Sequence, residues 1–233
     1  MIPCLFHCPR GAAKQAFREV VRHHVACAEV PKHPTVDIIT YNNTKLRFPI
    51  EDQAARLGLR LHVVARDYRP WSWAAKISEP KILMERMKPP KQYVMLVDGN
   101  DTIFTRPPYV MEIQSVLEHY ANAKILFCPT SADWPPNEAC RRFERSLSSS
   151  TRPHLSAGAY VGCVNTILEI MEWIEERRLK GLLCFRGRFD DQLAWRQAHL
   201  TYYPRLAIDT EGLLFNRFDR MYIARDTADK YIL

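Results

Sequence analysis

The residues of this chain best suited to chemistry fall in three short stretches. Asp98-Gly99-Asn100-Asp101 follows the apolar run YVMLV, so two carboxylates three positions apart project from the end of a strand. Hard cations such as Mg2+ and Mn2+ take oxygen ligands, and Mg2+ keeps water and substrate phosphate in its shell. Two carboxylates plus a diphosphate therefore make a coherent coordination set. Asp, Asn and Gly also favour tight turns by themselves, which makes an ordinary acidic turn the alternative. Asp190-Asp191-Gln192 opens a helical pattern, where negative charge also caps free amides and suits the helix dipole. Between the two lies LSAGAYVG, residues 155–162, whose small side chains let backbone approach a ligand closely.

Such groups need a scaffold, and the hydrophobic pattern supplies one. Short β-branched or apolar runs at 36–40, 61–65, 93–98, 124–128 and 159–163 read as buried strands. Helical spacing marks 11–28, 50–57, 78–87, 110–122, 166–178 and 190–198. Strands interleaved with helices predict an α/β fold, a doubly wound and mostly parallel sheet, with irregular insertions after Thr130 and after Tyr202. An open sheet of this kind binds ligands outside the carboxyl ends of its strands, which is where Asp98 falls.

A chain of 233 residues, 47% hydrophobic and 25% charged, has the makings of one sizeable core and excludes two large domains, disorder and fibrous repeats. No apolar run approaches the ~20 residues that span a bilayer, and the first eleven residues lack the pattern of a secretory leader. A cytoplasmic address without membrane attachment is expected. The seven cysteines are read as reduced and mostly buried; Cys4, Cys8, His23, His24 and Cys27 fit no common zinc spacing closely. The net charge of +7 is uneven: positions 1–100 hold 16 Lys/Arg against 9 Asp/Glu, and positions 101–233 hold 17 of each. The first half would attract phosphate, in a nucleotide or in DNA, unless it is merely a solvated basic face.

Four segments in order, YVMLVDGNDTIF, FCPTSADWP, HLSAGAYVG and FDDQLAWRQ, resemble the glycosyltransferase domain of procollagen lysyl hydroxylases and its viral and bacterial relatives. The resemblance runs from about residue 36 to 218 and implies a single GT-A-like domain over 36–233; the N-terminal extension, 1–35, lies outside it and is expected to form either a helix and extra strand that cap the sheet or a small acceptor-recognition element rich in Arg and His. It implies a hexosyltransferase that moves glucose or galactose from a UDP-sugar to a hydroxyl, with Mn2+ or Mg2+ on the diphosphate. By the same resemblance Asp98 and Asp101 match the metal carboxylates, and Asp190 and Asp191 the acidic run facing the sugar and acceptor, either of which would orient a hydroxyl or act as base. Thr40 matches a residue near the nucleotide base, and Trp71 or Trp73 an aromatic that stacks there. Lys76 corresponds to a lysine suited to the diphosphate, Trp134 to an aromatic of the sugar and acceptor pocket, and Ser156, Ala157 and Gly158 to the turn beside the transferred sugar.

The chain departs from the family in three places. Asn100 replaces an aromatic inside the first acidic motif, the turn at 156–159 reads Ser-Ala-Gly-Ala where the family has an Asn-Ser-Gly-Gly type, and no histidine follows His199 to serve as third metal ligand. The metal shell is then either incomplete, completed by water, or supplied by Asp226 or Asp229.

Two other function classes compete. A strand ending in aspartate also begins the haloacid dehalogenase phosphatases, metal-dependent phosphohydrolases; those need a carboxylate two residues on, where Asn100 stands here. A non-catalytic nucleic-acid-binding module would use the basic first half and the aromatic and arginine residues between Arg66 and Trp73. The acceptor of a transferase remains open between a hydroxylated protein side chain and a hydroxymethylated DNA base.

Overall fold

The computed structural model describes residues 5–7, 31–66, 70–87 and 92–217. Its centre is a six-stranded sheet in the order β10-β6-β7-β4-β2-β3. The strands are β2 (Asp37–Tyr41), β3 (Leu61–Val64), β4 (Tyr93–Asp98), β6 (Ile125–Thr130), β7 (His154–Cys163) and β10 (Leu206–Ile208). Strands β2, β3 and β4 pair in parallel, as do β6 and β10. β7 runs antiparallel to both β4 and β6, so the sheet is mixed, mostly parallel. A second, small sheet joins β1 (Leu5–His7) to β5 (Thr102–Phe104) and β11 (Phe215–Arg217). β1 falls within residues 1–35, while the helix expected over 11–28 lies outside the described residues.

Helices cover both faces, because the central strands are apolar on both. One face packs Ile39, Leu96, Phe127 and Tyr160 against α2 (Ala75–Arg86), α5 (Val164–Leu179) and α6 (Asp191–Tyr202). The other packs Ile38, Met95, Val97 and Val161 against α1 (Pro49–Arg56), α3 (Val110–His119) and the small sheet. Burying a large aliphatic side chain contributes roughly 1.5–3 kcal/mol each, which makes these two layers the main source of stability.

The region after Thr130, expected to be irregular, instead carries α4 (Glu138–Leu147), started by Asn137, whose side chain accepts a hydrogen bond from the Cys140 amide. Its strong amphipathic pattern escaped the sequence reading because the polar face carries mostly Arg and Glu. After Tyr202 the chain likewise returns to the sheet as β10 and then β11. Asp209 organises that return by accepting from the amides of Leu213, Leu214 and Phe215 and from the Tyr120 hydroxyl. Among the described residues Cys128 and Cys140 are buried thiols, Cys163 is half-buried and Cys184 is exposed. No helix there is long and apolar enough to cross a membrane.

Candidate active site at the carboxyl rim of the sheet

Asp98 is the last residue of β4, at the carboxyl end of the parallel strands. The antiparallel register pairs Val97 with Ala159, so one step further each way brings Asp98 level with Gly158. β7 also leaves its regular pairing here. Phe127 faces Tyr160 while the next residue, Cys128, faces Ser156, so Ala157–Ala159 bulge out of the β6 ladder at the height of Asp98. The register alone thus joins the first and third segments of the sequence reading.

The fourth segment joins through Gln192. Its Oε1 accepts from the Ala157 amide at 2.7 Å and its Nε2 donates to the Leu155 carbonyl, fastening the start of α6 to the bulged strand. Asp190 is the N-cap of α6, its carboxylate accepting from the Leu193 amide at 2.8 Å. Asp191, one residue on, is buried and turns to the opposite task. Its Oδ2 lies 3.3 Å from Lys76 Nζ, which in turn sits 2.7 Å from Asp98 Oδ1.

Lys76 is therefore no surface lysine: only 7% of it is exposed. Burial works against its charge, but the carboxylates of Asp191 and Asp98 outweigh that effect and hold its pKa above the ordinary lysine value. Asp191, in the same cluster, also has its pKa raised, which for a carboxyl favours the neutral form. Burial pushes its carboxyl up to about 6, Lys76 pulls it back only in part, and Asp98 and Asp190 add to the rise.

The backbone that presents Lys76 has a local cause. Pro80 lies four residues on in α2 and has no N–H to bond the Lys76 carbonyl. Tyr41, at the end of β2, donates its hydroxyl to that carbonyl at 3.3 Å. A proline that would weaken a helix elsewhere is accommodated by a tyrosine from the neighbouring strand, and the first turn of α2 is tied to the sheet rim.

Gly99 is required by space rather than by turn geometry. A Cβ there would fall 2.5 Å from Thr40 Oγ1 and 3.0 Å from a Phe48 ring carbon. Thr40 itself is fully buried and donates its hydroxyl to the Val97 carbonyl at 2.9 Å, so it braces β2 against β4 beneath the rim. Trp73 is 48% exposed, with Lys76 Nζ 5.4 Å from its ring centroid, and Trp71 meets it edge-on at 6.0 Å while packing on the core. Trp73 is thus the open aromatic at the mouth of the cluster. Asn100 and Asp101 are half-buried in the turn after β4; Ser156, Ala157 and Gly158 are buried.

Trp134 is 46% exposed and touches Phe185 edge-on at 5.1 Å. Phe185 belongs to a hairpin of β8 (Cys184–Phe185) and β9 (Arg188–Phe189) that leads directly into Asp190. Trp195, by contrast, is core, 1% exposed and tilted against the rings of Phe127 and Tyr160.

No protein-family model matches this chain, and no curated protein matches it.

Sequence reasoning missed a second buried charge cluster: Arg196, Glu144, His154 and Asp133. His154 lies 10 and Arg196 52 residues beyond Glu144, and no local spacing signals such a set. Neither of two further clefts contains a predicted site residue. One of about 490 Å3 lies beside edge strand β3, and one of about 280 Å3 lies between α3, α4 and the end of α6.

No group of three or more His, Cys, Asp or Glu side chains that would hold a metal occurs among the described residues. Asp226 and Asp229 lie outside them. The rim nevertheless has donor chemistry suited to a hard cation that shares its shell with substrate: a carboxylate at Asp98, beside a buried cation and an exposed aromatic, with Asp101 three residues on in the same turn.

Proposed function

We propose that the chain is a metal-dependent hexosyltransferase that moves glucose or galactose from a UDP-sugar to a hydroxyl. The observation that carries the reading is the convergence of Asp98, Lys76 and Asp191 from three distant parts of the chain, with Gly158 level with Asp98. Phosphate-bearing ligands sit at this rim in open α/β sheets, and a cation flanked by carboxylates beside small residues and an open indole suits a nucleotide diphosphate carrying a sugar.

In this reading Asp98 and Asp101 hold Mn2+ or Mg2+, which offsets the charge that builds on the departing diphosphate. Lys76 stays cationic, donates to Asp98 and so fixes the direction of that carboxylate while adding positive charge for phosphate oxygens. Trp73 offers a face to the nucleotide base. Asp191, with its pKa near 6, both accepts and releases a proton close to neutral pH and is the base toward the acceptor hydroxyl. Asp190 caps α6 and thereby places Asp191. The small residues Ala157 and Gly158 leave room for the hexose.

The test is a panel of nucleotide sugars scored for UDP release with and without Mn2+. Turnover is expected with UDP-glucose or UDP-galactose, and Asp98→Ala and Asp101→Ala are expected to abolish it while the circular-dichroism spectrum and melting point stay near wild type. Near-normal turnover in both variants would remove the proposal.

A further inference from the structure

The buried guanidinium of Arg196 does more than close an ion pair. Its Nε and Nη2 grip Glu144 at 3.0 and 2.7 Å, and Glu144 also takes a hydrogen bond from His154 Nδ1 at 2.7 Å. The donors left over go to the two residues that flank Trp134: Nη2 lies 2.8 Å from Asp133 Oδ1, and Nη1 donates to the Pro135 carbonyl at 2.7 Å. Arg141 reaches Asp133 from the far side at 3.5 Å. A planar fork with five donors can hold a carboxylate and a carbonyl in one fixed geometry, which a lysine cannot. A buried ion pair contributes little to stability compared with an apolar replacement, so stability alone does not account for the arrangement. What it reaches are the neighbours on both sides of Trp134, an indole that is half in solvent and meets Phe185 edge-on in the hairpin that enters Asp190 and Asp191.

Resting on the transferase reading, we propose that Arg196 is a positioning residue: it holds Trp134 rigidly as the aromatic platform for the sugar beside Asp191. The experiment uses the full chain labelled with 5-fluorotryptophan, whose five tryptophans are assigned one at a time by Trp→Phe substitution. Arg196→Met is paired with Glu144→Gln so that no unmatched charge is left at that pair. The Trp195 resonance, from the core next to Arg196 in sequence, reports whether the fold is kept. With the fork removed, the Trp134 resonance is expected to shift and broaden while that of Trp195 persists. UDP release from the best donor with Mn2+, water being the acceptor, should fall about 10- to 100-fold in kcat with KM for the donor within about twofold. Trp134→Ala should give the same loss, and adding it to the paired variant no further loss, whereas Arg196→Lys should recover part of the rate.

An unmoved Trp134 resonance overturns the proposal, as does a moved resonance with unchanged kcat. Lack of turnover by the wild-type protein with every donor would instead overturn the transferase reading and any role in transfer; whether the fork holds Trp134 is decided separately by the resonance.

Discussion

Two buried cations among the described residues, Lys76 and Arg196, each stand between two carboxylates, and the two clusters behave in opposite ways. At the sheet rim Lys76 stands between Asp98 and Asp191. Behind it, Arg196 stands between Glu144 and Asp133. Burial alone would raise the Glu144 carboxyl, but the hydrogen bonds from His154 and Arg196 win, and its pKa falls below the ordinary value. Asp191 feels a similar burial, receives one point contact from an ammonium shared with Asp98, and rises to about 6. Part of the difference lies in the cation, and part in the hydrogen bond from His154 to Glu144 and the negative charge of Asp98 and Asp190 around Asp191. A guanidinium fork saturates a carboxylate and locks it ionised, while a lysine divided between two partners leaves one of them able to take up a proton. The locked cluster suits a positioning task and the divided one suits proton transfer.

Removing each cation is the strongest way to break that comparison. Arg196→Met leaves Glu144 in the core without its guanidinium partner and should cost about 3–5 kcal/mol, read by urea unfolding. Lys76→Met should cost only about 1–2 kcal/mol, since Asp191 can protonate and the Asp98 side chain is 28% exposed. Equal losses would show that the two clusters do not differ as argued.

Acid should strike the locked region through its neighbour His199. Burial lowers that imidazole to about 4, with Glu144 raising it and Arg196 lowering it in smaller measure. Between pH 4 and the unfolded value near 6.5 the unfolded chain binds the extra proton, so stability is full above about 6.5 and is lost as pH falls. The loss reaches about 3 kcal/mol by pH 4. His199→Leu should flatten this limb of the stability profile; a slope unchanged in the variant would assign it to other groups.

Gly99→Ala tests whether the rim tolerates a wider turn. The added methyl meets Thr40 and Phe48, and a loss of about 1–3 kcal/mol is expected from thermal melts, with weaker donor binding as the Asp98 turn shifts. The smallest effect belongs to Asp190→Asn, which keeps the α6 cap and should change stability by less than about 0.5 kcal/mol. Retained turnover in that variant, set against its loss in Asp191→Asn, would separate the capping carboxylate from the reacting one.

How much of this was legible in the chain depends on the range of the signal. The strand at 93–98 and its acidic turn were readable because apolar run and turn residues are contiguous, and the structure ends β4 at Asp98. The antiparallel course of β7 was not, since a buried strand looks the same in either direction. Lys76 gave no local sign of its burial. Of the two adjacent aspartates, only the hydrogen bond to the Leu193 amide tells which one caps the helix.

Hydrophobic periodicity and turn chemistry act over a few residues, so the α/β alternation, the position of the acidic turn and the small-residue strand were written into the chain itself. Which charges meet is a matter of long-range topology. Lys76 faces Asp191 across 115 positions, and Glu144 faces Arg196 across 52, only because the sheet order and the packing of α6 on β7 bring them together. Burial then sets their protonation, since a carboxylate's affinity for a proton depends on its neighbours and on its distance from water, and neither is a property of the residue alone.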